Sequence, residues 1–302
     1  MLADQHEGDL PDGLAELCDA IVHRHRSAVL GIAFYGSCRR RSDVTEGLVD
    51  LLVLVSDYYS ALGSRWSALI NRTLPPNVYY LQTEFKGITL RCKYAVIQLD
   101  QLARRASSRH DHYFWARFCQ PLRFAYGSSE VNQRLAKLRS TAAVSYARRI
   151  APLMGKSMTA ADFWTLALQT TYRCELRPEP DSAAQTLIAH DPEFWTELSE
   201  SLTRHPNSRL LACDGKLHYN NGTGMPALTQ ISWRLRRISG KIMNLARLFK
   251  AAGTFTNGVD YLVWKVERHS GVKVTPTERM RRHPRLAVWG LAWQLWRKGG
   301  FR

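Results

Sequence analysis

The chain has 302 residues, 45% hydrophobic and 23% charged, which is enough to bury a core and to form one to three domains. Forty-two Lys and Arg against 26 Asp and Glu leave a net charge of +16, an excess that favours a polyanionic partner, either nucleic acid or an anionic lipid surface. Six cysteines without C-x-x-C spacing argue against zinc and a disulfide framework and read as reduced thiols of a cytosolic protein, and no apolar run approaches the ~20 residues that span a bilayer.

The acidic start, MLADQHEGDLPDG, suits neither a secretory signal nor a mitochondrial presequence. Residues 14–25 have helical apolar spacing and lead into AVLGIAFYGS, a strand ending in a turn. Residues 48–55 form a second strand, apolar throughout as expected of one buried on both faces. A helix over 65–74 stops at Pro75 and Pro76. Strands over 77–83 and 87–97 follow, with a turn at 85–87. Helices are expected over 100–106, 113–118 and 129–154. This order makes an α+β sheet domain whose sheet ends near residue 125, within a first domain of residues 1–155.

Residues 156–230 read as a helical domain, with Thr159 capping one helix and Asp191 capping another that has Pro192 in its first turn. Residues 218–229 are an Asn- and Gly-rich linker. From Arg234 to Arg302 there are 16 Lys/Arg against Asp260, Glu267 and Glu278, so most of the net charge sits in the region 231–302. There Leu286, Trp289, Trp293 and Trp296 fall on one helical stripe between basic flanks. Such a stripe serves either a membrane interface or packing on a core. Arg39, Arg40 and Arg41 read as a solvated run, and His110 and His112 as surface residues.

Gly36-Ser37 followed by Asp50 has the outline of a polymerase-β-type nucleotidyltransferase site. There a Gly-Ser turn lets backbone N–H groups approach a triphosphate, and strand carboxylates hold Mg²⁺. That pattern has two acids separated by one residue, but Leu52 stands at the second position. Asp43, Glu46, Glu84 and Glu175 compete for the missing role, with Asp43 the candidate taken as a metal ligand beside Asp50.

Further along come PPNVYY, RCKYAVIQL, YFWARFCQP, TTYRCELR and KAAGTFTNG. With YGSC and GLVDLLVLV, in this order, they resemble the Tam41-type phosphatidate cytidylyltransferase family over roughly residues 25–270. The resemblance implies a polymerase-β-like nucleotidyltransferase domain with a mixed sheet, then a winged-helix-like helical domain and a basic amphipathic C-terminal helix. It implies a Mg²⁺-dependent enzyme that joins CTP and phosphatidic acid into CDP-diacylglycerol and pyrophosphate in phospholipid biosynthesis. Such an enzyme would be cytoplasmic and peripheral on the inner face of a bacterial membrane, with no nucleic-acid partner. Tyr35, Gly36 and Ser37 would cradle the nucleotide with Tyr172 and Arg177. Asp50, Lys93 and Glu175 would be catalytic, and Arg117, Lys250 and Thr254 would meet substrate phosphate. Cys38 replaces the second glycine of the family's turn, so strain from a positive φ is expected there.

Two other classes remain open. The same turn and acid would serve a nucleotidyltransferase acting on RNA or a small alcohol, and the missing second acid suits a catalytically inactive, membrane-docked adaptor.

Overall fold

The structure, a computed structural model, describes residues 10–41, 43–155, 157–175, 181–220 and 226–254, together with Glu278. The first part is α+β. Helix α1 (Leu14–His25) buries Leu14, Leu17, Cys18 and Ile21, one turn apart on a single face. Strand β1 (Val29–Tyr35) follows, then the short helix α2 (Gly36–Arg41) and strand β2 (Val49–Val55). Helices α3 (Tyr58–Leu62) and α4 (Arg65–Thr73) carry the chain across to a hairpin of β3 (Asn77–Phe85) and β4 (Ile88–Gln98). The hairpin turns on Lys86 (φ 48°) and Gly87 (φ 77°), the two left-handed residues that a type I′ turn requires.

Helices α5 (Leu99–Ser107) and α6 (His112–Phe118) precede β5 (Arg123–Gly127) and the 22-residue α7 (Ser129–Ile150). The five strands form one mixed sheet in the order β3-β4-β2-β1-β5, in which β2 and β4 run parallel and the other pairs antiparallel. As expected, the central strand β2 is apolar and buried over most of its length.

Direct cross-strand partners share a face. Register therefore places Tyr35, Asp50, Lys93 and Tyr80 in one row across four strands, with Ala33, Leu52, Ala95 and Val78 in the next row on that face. Ala33, Leu52, Leu54 and Ile97 pack there against α5, α6 and α7. The opposite face buries Leu51, Val53 and Val55 under α1.

The second part contains more than the expected helices. Helices α8 (Ala160–Tyr172), α9 (Asp181–His190) and α10 (Pro192–Thr203) pack with a small sheet of β6 (Ser157–Met158), β7 (Leu210–Cys213) and β8 (Lys216–Tyr219) in the order β6-β8-β7. Strands of two to four residues carry no readable alternation. Thr159 caps α8 as expected, its hydroxyl accepting from the Asp162 N–H at 3.1 Å. The core here is aromatic. Trp164 and Trp195 lie 5.1 Å apart, and the Trp164 indole N–H donates to Ser199 at 2.9 Å, so burying it strands no donor. Helix α7 spans both parts, with Leu135 and Ala142 in the first core and Tyr146 and Ile150 in the second.

Helix α11 (Pro226–Thr254) runs from the second part back to β3. Gly240 sits where it crosses Cys174, and a Cβ there would lie 2.6 Å from the Cys174 carbonyl. On its outer side Leu228, Ile231, Leu235, Ile238, Ile242 and Leu245 are exposed at alternating three- and four-residue steps. The Trp-striped segment 286–296 lies outside the described residues. No helix among the described residues is long and apolar enough to cross a membrane.

Candidate functional site

Asp50 is the second residue of β2, where the central strand emerges from its buried stretch. Its Oδ1 lies 2.9 Å from Lys93 Nζ on the parallel neighbour β4, with side chains 21% and 37% exposed. On the other side stands Gly36, the first residue of α2, with φ +83°. A Cβ on Gly36 would sit 2.7 Å from Asp50 Oδ2. Glycine is therefore required twice, for its backbone conformation and because the Asp50 carboxylate takes the place that a Cβ would fill. Ser37 is exposed beside it.

The strain expected at Cys38 is not found. Gly36-Ser37 opens a helix instead of a longer loop, so Cys38 is helical and buried, and its thiol donates to the Leu48 carbonyl at 3.3 Å. Arg39 also departs from expectation. It is buried, and it donates at 2.7 Å to Asp191, the residue before α10. Asp191 gives no side-chain cap to its own helix because its carboxylate serves Arg39.

Tyr35 and Lys93, which flank Asp50 in its row, line a cavity of about 200 Å³. Leu52, Val78, Ala95 and Ile97 form its sheet wall, and Tyr113, Phe114, Arg117 and Phe118 of α6 face them. Burial, then the nearby Asp50 charge, pushes the Tyr35 phenol above its ordinary pKa, so it is a neutral donor. The Arg117 guanidinium lies 4.4 Å from the Tyr113 ring centre and 3.8 Å from Glu175. Burial opposes its charge, but Tyr113, Tyr35, Glu175 and Asp50 together raise its pKa. One cavity thus joins an amphipathic lining to two cations.

The remaining expected residues are spread more widely. Glu175 reaches the cavity's edge through Arg117 and lines an adjoining cleft with His112, Tyr113 and Arg247. Tyr172 packs against the aromatic core of the second part. Asp43 turns its carboxylate onto Thr45, accepting from its N–H and hydroxyl at 2.7 Å each, and these bonds hold its pKa below the usual range. Lys250 donates to Asn71 Oδ1 at 3.0 Å, to Pro76 O at 2.9 Å and to Leu74 O, which anchors α11 behind the cavity wall. Burial, then Arg247, presses its pKa down to about 7. Arg177 and the side chain of Thr254 lie outside the described residues.

Sequence reasoning missed Tyr113, whose ring is held between Arg117 and Arg247, the latter 4.0 Å from its centre. The i, i+4 spacing of Tyr113 and Arg117 on α6 is the signal that would have found it. It also misplaced His112, which is buried at 9% exposure against Trp233.

Among the described residues no three His, Cys, Asp or Glu side chains converge as a metal cluster. Mg²⁺ is nevertheless held in many sites by one or two carboxylates, with water and substrate phosphates completing its shell. Asp50 Oδ2, the carboxylate oxygen that does not pair with Lys93, would be the protein ligand of a single-carboxylate site of that kind.

No family model matches the chain, and no curated protein matches it. Among solved structures, a nucleotidyltransferase-like protein from Exiguobacterium sibiricum is similar at 13% identity and a TM-score of 0.27, covering 95% of this chain and 92% of that one. A likeness at that score carries no argument. The resemblance to phosphatidate cytidylyltransferases therefore rests on the motifs.

Proposed function

We propose that the chain is a nucleotidyltransferase, and specifically that it joins CTP and phosphatidic acid into CDP-diacylglycerol and pyrophosphate. The observation that carries this reading is the Asp50–Lys93 pair beside Gly36, flanking a cavity that is apolar on its sheet wall and cationic at Arg117. A substrate with a charged phosphate and a hydrophobic body matches such a lining.

In this reading a phosphatidate oxygen attacks the α-phosphorus of CTP as the bond to the β-phosphate oxygen breaks, and pyrophosphate carries off the electron pair. The attacking phosphate is already ionised near neutral pH, so no strong base is needed. Asp50 Oδ2 would hold Mg²⁺, which supplies charge neutralisation on the triphosphate. Lys93 and Arg117 offset the charge that builds on the transferred group, Gly36 and Ser37 admit the phosphates, and Tyr35 donates from its neutral hydroxyl. Helices α8–α10 with the small sheet would form the winged-helix-like unit. The basic region after α11 would hold the enzyme at an anionic membrane surface.

The test incubates Mg²⁺, labelled CTP and phosphatidic acid with the wild type and with Asp50→Ala. The expected result is labelled CDP-diacylglycerol from the wild type alone. Consumption of ATP or RNA without lipid product would overturn the cytidylyl assignment.

A further inference from the structure

A second cationic site lies away from Asp50. Arg109, Arg148, Arg149, Arg209 and Arg236 converge on a pocket of about 380 Å³ between the end of α7, the start of α11 and the loops before α6 and β7. Among the described residues no Asp or Glu lines it. Among the described residues, none of the five guanidinium groups is ion-paired with a carboxylate.

Their arrangement is held together against repulsion. Arg149 lies 4.7 Å and Arg236 5.9 Å from the Trp115 ring centre, and Arg236 lies 5.3 Å from that of Trp233. Arg149 Nε and a terminal nitrogen of Arg236 both donate to the Arg109 carbonyl, at 3.1 and 2.8 Å. Arg236 is nine-tenths buried, yet among the described residues its Nε–H has no acceptor. Burial, then Arg236, Arg148, Arg109 and Arg209, brings the Arg149 pKa down to about 10. Arg209 is left-handed (φ 64°), a conformation that is costly for a side chain with a Cβ.

Packing alone requires none of this. Guanidinium groups gathered without counter-charge, one of them with an idle donor, are arranged as they would be around an anion. A single carboxylate would offset one of five charges, whereas a chain of phosphates offers several charges and matches the planar fork of each arginine. A nucleic-acid strand would call for an extended strip, not a pocket.

We propose that this pocket binds a multiply charged phosphate anion of pyrophosphate size or larger, presented either free in solution or as a lipid headgroup. None of the five arginines lines the cavity beside Asp50, so the site stands or falls apart from the activity proposed there.

The test is calorimetric titration of the full chain with inorganic tripolyphosphate at physiological salt. It compares wild type, the pocket variant Arg148→Gln/Arg209→Gln, and a control, Arg65→Gln/Arg104→Gln, on exposed arginines elsewhere. Circular dichroism checks that each is folded. Saturable one-to-one binding by wild type and control is expected, weakened at least about tenfold in the pocket variant. Flotation on phosphatidylcholine vesicles containing cardiolipin, whose headgroup carries two phosphates, separates the two sources. Release of the chain by tripolyphosphate, lost in the pocket variant, assigns a headgroup; binding of tripolyphosphate without vesicle binding assigns a free anion. Equal affinity in all three proteins, no saturable binding by the wild type, or binding of single-stranded RNA without response to tripolyphosphate would each overturn the proposal.

Discussion

Asp50 and Lys93 meet across the parallel β2–β4 pair, carboxylate oxygen to ammonium at 2.9 Å, although 43 residues separate them in the chain. The pair is partly exposed and so contributes little to stability, about 1 kcal/mol or less. Its position matters more. The lysine neutralises one carboxylate oxygen, while the other packs against Gly36 and is not paired with the lysine. Asp50→Asn is therefore expected to lower the proposed nucleotidyl transfer about a thousandfold, some 4 kcal/mol of barrier, with urea melts shifted by about 1 kcal/mol or less. Transfer at the wild-type rate would remove Asp50 from the chemistry.

Gly36→Ala tests the close packing of the Asp50 carboxylate on that glycine. The added methyl meets Asp50 Oδ2 at 2.7 Å on a backbone with φ +83°. Strain of about 1–2 kcal/mol is expected in denaturant melts. Activity should fall by more than that strain explains, because the carboxylate must move. Unchanged kcat/KM would show that this packing has no role.

The Arg39–Asp191 pair ties α2 to α10 with side chains only 7% and 18% exposed. Removing one partner leaves the other charge poorly solvated. Arg39→Met should thus cost about 3 kcal/mol or more, and the double variant Arg39→Met/Asp191→Leu less than the sum of the single losses. Additive losses in urea denaturation would show that the two charges are uncoupled.

His112 links stability to acid. Burial presses its pKa down to about 4, Arg236 and Arg247 add to this, and Asp111 opposes it. The folded state thus holds fewer protons than the unfolded one between pH 4 and 6.5. Its contribution is complete above pH 6.5 and is lost as pH falls towards 4, by up to about 3 kcal/mol. His25 is shifted in the same direction, so the comparison is with His112→Gln, which should flatten only part of the pH profile of thermal stability. A profile identical to that of the wild type would contradict the assignment.

Local signals carried the regular elements. The apolar spacing of 14–25, the unbroken apolar run of β2 and the Thr159 cap act within one turn or one strand, and the structure reproduces them. Long-range pairings were not readable in this way. Three consecutive arginines look solvated until Asp191, 152 residues away, turns out to bury Arg39. β5 is a five-residue strand at the sheet edge with no clean alternation, and β7 and β8 are shorter still. Asp50 and Lys93 were each singled out from motifs, but their contact depends on strand order, which no local pattern encodes.

Helix α11 is a rod of 29 residues, roughly 43 Å long at 1.5 Å per residue. It is pinched at Gly240, where the Cys174 carbonyl leaves no room for a side chain. Trp233 and Arg236, on one side of that fulcrum, wall the arginine pocket, and Lys250, on the other, grips the carbonyls beside Pro76 at the Asp50 cavity. The arms measure roughly 10 Å to Trp233 and 15 Å to Lys250. One continuous helix thus reaches both pockets, with Trp233 and Lys250 roughly 25 Å apart along its axis.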